Sequence, residues 1–237
     1  VDGLGSNLSD KPVDTARYRV DKLASDLNQL AYQLGGDKPF RLIGHDWGGS
    51  LSWAFAQNYP TRLEKLIVLN APPYNLFREL IRNNEQQKKS SRYISFLNHP
   101  LGEAILAFNG SYLISRMAYK KHLDHHRINQ TEADLFRQAL SRPQALHSAI
   151  NWYRANMPPE EGIHDNQRWP LNNPTIEVPS LLIWGERDKA FVAEFLDMLP
   201  DYANQLTINR IPDAAHWPGL SHHRQVNETI VEFLRAP

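Results

Sequence analysis

The stretch Phe40-Arg41-Leu42-Ile43-Gly44-His45-Asp46-Trp47-Gly48-Gly49-Ser50, followed by Leu51-Ser52-Trp53-Ala54-Phe55-Ala56, decides how this chain is read. A short apolar run leads in and a helical pattern leads out, so the Gly-x-Asp-x-Gly segment is a strand-to-helix turn. Glycines flank Asp46 because a turn this sharp crowds backbone against backbone. Such a turn lifts one side chain clear of the sheet, and here that side chain is a carboxylate. A carboxylate attacks an electrophilic carbon without first losing a proton, which points to ester-forming alkylation rather than acyl transfer. The same residues also fit a plain corner with Asp46 as a helix N-cap, where aspartate is common. Only partners elsewhere in the chain can separate the two.

Working outward, Asp2–Pro12, with its glycines and serines, reads as the loop after a strand whose body is not in this chain. Val20, Leu23, Ala24, Leu27, Leu30, Ala31 and Leu34 then form a helical stripe ended by Gly35-Gly36. Phe40–Ile43 is expected to be a short buried strand, and Gly48–Gln57 a helix stopped near Tyr59-Pro60. The continuous apolar run Leu66–Leu69 fits a parallel strand covered on both faces. From Tyr74 to about Met157 no strand is expected. Helix-compatible stretches follow one another there, around 76–82, 93–96, 103–108, 131–140 and 144–153. Pro158–Pro179 holds five prolines and little periodicity, which suits a return linker. Alternation resumes with a strand at 181–184, a helix near 191–199, a strand at 206–211 and a helix from about His222 to Leu234. The expected class is α/β, a mostly parallel sheet with helices on both faces. It is divided as core (1–73), inserted helical cap with return linker (74–178) and core again (179–237).

Composition narrows the partners. Among 237 residues, Lys plus Arg number 26 and Asp plus Glu number 26. No bulk charge therefore recommends nucleic acid or an acidic membrane, and a small uncharged substrate is favoured. The absence of cysteine excludes disulfides, thiolate metal sites and a Cys nucleophile. No apolar run reaches the length of a membrane span, and Val1-Asp2-Gly3-Leu4-Gly5 lacks a basic flank and an apolar core. A soluble, cytoplasmic protein is expected, and a homodimer is compatible with the sequence.

Two further sites join this sharp turn, a nucleophile elbow if Asp46 is the reacting group. Gly185-Glu186-Arg187-Asp188 follows one strand and puts a carboxylate at its C-terminal end, where open α/β sheets bind ligands. Pro212-Asp213-Ala214-Ala215-His216-Trp217-Pro218 follows the last strand and supplies an imidazole. The order nucleophile, acid, histidine is that of a hydrolase triad. Singly, Asp188 also fits a turn and His216 a loop histidine satisfied by backbone. His122-Leu123-Asp124-His125-His126 has metal-ligand residue types but no further ligand marked by sequence, so a solvated helical face is expected there. His45 is expected to point away from the site, and Lys88-Lys89 to be solvated.

Nearly the whole chain resembles the α/β-hydrolase epoxide hydrolases, with haloalkane dehalogenases as close relatives. The resemblance rests on Ser9-Asp10-Lys11-Pro12, Gly44-His45-Asp46-Trp47-Gly48-Gly49, Leu69-Asn70-Ala71-Pro72, Trp184-Gly185-Glu186-Arg187-Asp188 and Ala215-His216-Trp217. Ser91-Arg92-Tyr93-Ile94-Ser95-Phe96 and Asn151-Trp152-Tyr153-Arg154 resemble the cap segments that carry the family's two epoxide-binding tyrosines. Taken without the family, both tyrosines also fit ordinary amphipathic helix packing.

The resemblance implies an N-terminally incomplete α/β-hydrolase fold. It makes Asp46 the nucleophile, Asp188 the orienting acid and His216 the general base. Tyr93 and Tyr153 become hydrogen-bond donors to the epoxide oxygen, and the Trp47 amide an oxyanion donor. No metal or organic cofactor is required, and the partners are an epoxide and water. Haloalkane dehalogenation would use the same triad, with Trp47 and a second donor such as Trp152 or Trp169 on the halide. Paired tyrosines favour the epoxide, whose oxygen must gain a proton. The sequence also departs from the family. It lacks the His-Gly-x-Pro loop that supplies a second oxyanion donor, it has Leu4 where relatives commonly carry arginine, and if these residues are the whole molecule Phe40–Ile43 is expected to become an exposed edge strand, open to aggregation or pairing with another chain. A fragment, or a non-catalytic interaction module, is the reading of another class.

Overall fold

Four parallel strands in the order β1-β2-β3-β4 form the sheet of the computed structural model, which describes residues 1–108, 120, 122–157 and 174–236. In chain order the elements are α1 (Val20–Gly35), β1 (Phe40–His45), α2 (Trp47–Asn58), β2 (Leu63–Leu69), α3 (Tyr74–Asn83) and α4 (Glu85–Ser90). The helices α5 (Arg92–Asn98), α6 (Pro100–Ala107), α7 (Gln130–Leu140) and α8 (Ala145–Asn156) follow. The chain closes with β3 (Ser180–Gly185), α9 (Phe195–Met198), β4 (Leu206–Ile211), α10 (Pro218–Ser221) and α11 (His223–Arg235).

The chain divides into two compact units. One is Val20–Ser91 with Asn166–Pro237, and the other Val1–Arg19 with Arg92–Asp165. This differs from the 1–73, 74–178 and 179–237 division expected from the sequence, and the contacts give the reason. Helix α3 buries Leu76, Phe77 and Leu80 and sets Phe77 edge-on to Phe191, so 74–91 packs with the sheet unit. The segment 1–19 packs with α8: the fully buried Tyr18 donates its hydroxyl to the Pro12 carbonyl, with Ser148 Oγ 2.8 Å away. Asn156 Nδ2 reaches the Tyr18 carbonyl at 2.9 Å. Residues 158–173 of the expected return linker, Trp169 among them, lie outside the described residues.

The sheet unit is built by burial on both faces. Helix α11 lays Val226, Ile230, Phe233 and Leu234 against Ile67, Leu69, Leu181, Ile183 and Ile211. A fully buried aliphatic side chain of this kind contributes about 1.5–3 kcal/mol. Helix α2 covers β1 and β2 and is apolar nearly all round, as an interior helix must be; Trp53 and Phe55 are fully buried. Of the two readings of Phe40–Ile43, the buried strand and the exposed edge, the structure has the edge: β1 has β2 as its only neighbour among the described residues, and Ile43 is 50% exposed. The α1 stripe is buried only at Val20, Leu23 and Ala24, and Leu34 is exposed.

Because every pair is parallel, the C-terminal ends of β1, β3 and β4 share one edge of the sheet. The turn after β1 is closed by contact: a Cβ on Gly44 would lie 2.3 Å from the Gly48 carbonyl oxygen and 2.4 Å from Ser52 Oγ. Gly44→Ala is therefore expected to destabilise the protein by about 1–3 kcal/mol, read as a lowered urea midpoint with an unchanged m-value.

Candidate active site

Asp46 sits between β1 and α2 at φ 52° and ψ −122°, a backbone conformation that L residues rarely adopt. It occupies the N-cap position of α2, yet its side chain makes no capping hydrogen bond. The carboxylate is turned instead toward His216, whose Nε2 lies 3.0 Å from Asp46 Oδ1. The N–H of Trp47 also hydrogen-bonds to this carboxylate.

On its other side His216 Nδ1 lies 2.9 Å from Asp188 Oδ2. The Asp188 side chain is fully buried and both oxygens are engaged. Oδ2 also accepts from Asn70 Nδ2 at 2.6 Å, while Oδ1 accepts the backbone N–H groups of Ala190 at 2.7 Å and Phe191 at 3.4 Å. A buried carboxylate is tolerated when its lone pairs are filled in this way. The structure thus brings Asp46, Asp188 and His216 into one hydrogen-bonded line.

The charges follow from the line. Burial alone would lower the His216 pKa, but hydrogen bonds to Asp188 and Asp46 and the charges of both carboxylates raise it to about 10. Burial likewise pushes the Asp46 carboxyl up, yet the hydrogen bond and charge of His216 hold it below its ordinary value. At neutral pH the resting pair is aspartate and imidazolium.

His45 does not point away from this site. Its ring packs against those of His216 and Trp217, at centroid distances of 5.1 and 4.8 Å, and Nε2 lies 2.7 Å from the His216 carbonyl. A carbonyl only accepts, so Nε2 carries the proton. The turn after β4 brings the His216 carbonyl to the end of β1, and this acceptor is the imidazole's partner. Burial lowers the His45 pKa, helped by the charge of His216 and opposed by Asp46.

Asn70 is a further residue of the site. The sequence marks it only as part of Leu69-Asn70-Ala71-Pro72, and nothing local gives it a task. It is fully buried at φ 41°, accepts the Gly185 N–H at 2.9 Å and donates to Asp188, so it ties the end of β2 to the acid. A Cβ on Gly185 would lie 2.5 Å from the Ala215 carbonyl oxygen, and this close approach brings the acid and histidine turns together.

Tyr93 on α5 and Tyr153 on α8 meet within the helical unit, rings edge-on with centroids 5.9 Å apart. Helix α8 is held beside them. Trp152 Nε1 donates to the Leu4 carbonyl at 3.0 Å, and Glu103 on α6 binds His147 at 2.9 Å and Arg154 at 2.8 Å. In the 122–126 run, His122 is buried while Asp124, His125 and His126 are exposed, so these residues do not form a single solvated face. No group of three side chains able to hold a metal occurs among the described residues. No helix among them is long and apolar enough to cross a membrane.

A family described as alpha/beta hydrolase fold matches residues 1–223. Similar curated proteins include Epoxide hydrolase 3 of Mus musculus, 27% identical over 99% of this chain and 62% of its own length. Epoxide hydrolase 1 of Caenorhabditis elegans is 30% identical over 99% of this chain and 57% of its own length. The chain therefore spans about three fifths of these relatives. Among solved structures, an epoxide hydrolase of Bacillus megaterium bound to an inhibitor superimposes with a TM-score of 0.90, at 26% identity over 98% of this chain and 81% of that one.

The raised His216 pKa has a stability consequence. A group whose pKa rises on folding stabilises the protein fully below its ordinary value of 6.5, and the contribution is lost as pH climbs through about 10. Stability measured by urea unfolding is expected to fall across that window in the unaltered protein. The fall should be markedly shallower in His216→Gln.

Proposed function

Because the chain belongs to the α/β-hydrolase fold family, we propose that it opens a small, uncharged epoxide to a vicinal diol through an alkyl ester on Asp46. The observation that carries this reading is an aspartate at the tip of the elbow, hydrogen-bonded to a histidine that a buried carboxylate orients. The epoxide hydrolases among its relatives support the substrate class.

In the first half-reaction an Asp46 oxygen bonds to an epoxide carbon and the ring C–O bond breaks. The ring oxygen leaves with the bonding pair and takes a proton from Tyr93 or Tyr153, whose hydroxyls also stabilise its growing charge. Ester formation removes the negative charge beside His216. The hydrogen bond and the attraction that Asp46 contributed to the raised pKa disappear with it. The imidazolium then releases its proton, which restores the tyrosine through solvent.

Neutral, and oriented by Asp188 through Nδ1, His216 accepts at Nε2 a proton from the water whose oxygen attacks the ester carbonyl. The Trp47 N–H donates to the oxyanion. Collapse breaks the bond between the carbonyl carbon and the diol oxygen, which is protonated by the imidazolium; the carboxylic acid left at Asp46 then passes its proton to His216, and the resting carboxylate and imidazolium return.

Haloalkane dehalogenation is less well supported. Trp152, one of the two candidate second halide donors, spends its indole N–H on the Leu4 carbonyl.

His216→Gln treated with styrene oxide is expected to gain the mass of one epoxide, mapping to Asp46 by peptide analysis. A folded variant that gains no mass, or a protein that frees halide from bromoalkanes and makes no diol, would overturn the proposal. Tyr93→Phe and Tyr153→Phe should each slow ester formation by about 10²-fold in single-turnover measurements.

A further inference from the structure

Helix α4 reads Glu85-Gln86-Gln87-Lys88-Lys89-Ser90, a polar run in which Gln87 alone is fully buried. Its amide is almost completely used. Nε2 donates to Ser91 Oγ at 3.0 Å and to the Ala190 carbonyl at 2.8 Å, and Oε1 accepts the Val192 N–H at 2.9 Å. Both backbone contacts fall on the turn that carries Asp188. Along that turn the Ala190 and Phe191 N–H groups face Asp188 Oδ1, while the Ala190 carbonyl and Val192 N–H face Gln87. Phe191, enclosed between the two contacts, sets its ring 5.8 Å from that of His216 and edge-on to Phe77.

We propose that Gln87 is a positioning residue for the acid–histidine pair, acting through the 188–192 turn rather than on substrate. The turn has two sets of polar groups. The carboxylate fills one from within, and the amide of Gln87 fills the other from outside. If the amide is withdrawn, the Ala190 carbonyl and the Val192 N–H must find other partners, and a turn that rotates to do so takes the two N–H groups on Asp188 with it. Asp188 would then hold the imidazole less firmly, and His216 would keep its proton less tightly. The kinetic part of this inference rests on the ester mechanism proposed above. There His216 acts as base only in the second half-reaction, so a Gln87 defect belongs to ester hydrolysis and not to ester formation.

The test separates the two ideas by reading His216 without any substrate. Gln87→Met keeps the volume and removes every hydrogen bond, and Ser91→Ala removes one partner of Gln87 while leaving both turn contacts. Proton NMR follows the His216 Nδ1–H resonance against pH. Gln87→Met is expected to lower the pH at which it titrates by about one unit, a tenfold weaker hold on the proton, and Ser91→Ala to leave it in place. In single turnovers of styrene oxide, Gln87→Met should form ester within about twofold of the unaltered rate and hydrolyse it about tenfold more slowly. An unmoved resonance in Gln87→Met overturns the proposal, as does an equal shift in Ser91→Ala. Should Gln87→Met fail to fold, Gln87→Asn, whose amide is one methylene too short for both contacts, must give a shift in the same direction. A shifted resonance in a protein that leaves epoxides untouched would uphold the positioning role and defeat the epoxide reading alone.

Discussion

One imidazole shared between two carboxylates is the constraint on which the site depends. His216 reaches Asp46 with Nε2 and Asp188 with Nδ1, and these groups come from the ends of three strands. A hydrogen bond tolerates only a few tenths of an ångström, so the sheet must hold the ends of β1, β3 and β4 in a fixed relation. The parallel registers hold that relation, with His45, Leu69, Ile183 and Asn209 level and β3 and β4 running on to Gly185 and Ile211, and the glycines at 44 and 185 let the following turns close against neighbouring backbone. Burial of Leu66, Ile67, Leu181 and Ile183 is thus what fixes the distances in the site.

The second constraint is the cost of charge. Removing Asp188 from water is expensive unless every lone pair is occupied, and its partners come from an asparagine, a histidine and two backbone amides. Asn70 holds a positive φ at full burial to be one of them. His45 meets the opposite need. A second cation beside His216 would weaken the ion pair with Asp46, and burial keeps this imidazole neutral while its N–H fixes the His216 carbonyl.

What could be read from the sequence was what is local. The alternation of strand and helix and the Gly-x-Asp-x-Gly turn are patterns within single segments, while Asp46, Asp188 and His216 were linked across three segments by their chain order and by the family resemblance, and the structure brings them together at the strand ends. Residues defined by a distant partner were not legible. Asn70, Gln87 and the Nε2 contact of His45 each act across a gap in sequence, from 103 residues between Gln87 and Ala190 to 171 between His45 and His216. Gln87 sits in a run that composition alone assigns to solvent.

An aspartate at the elbow changes the order of events relative to a serine in the same place. A serine is neutral at rest and needs its histidine as a base for the first bond. Asp46 is already an anion, so the histidine is not needed for that step, and the resting ion pair keeps it protonated. On the proposed route the first bond consumes the charge that held the proton. Covalent bond formation therefore turns the base on, and regeneration of the carboxylate turns it off. The sequence of the two half-reactions follows from a single proton and the charge of a single oxygen pair, with no movement of the chain required. The demands on the fold are correspondingly specific. Asp188 must keep the imidazole in place through the interval in which Asp46 has stopped attracting it, and the polar groups filled around that carboxylate are suited to this task.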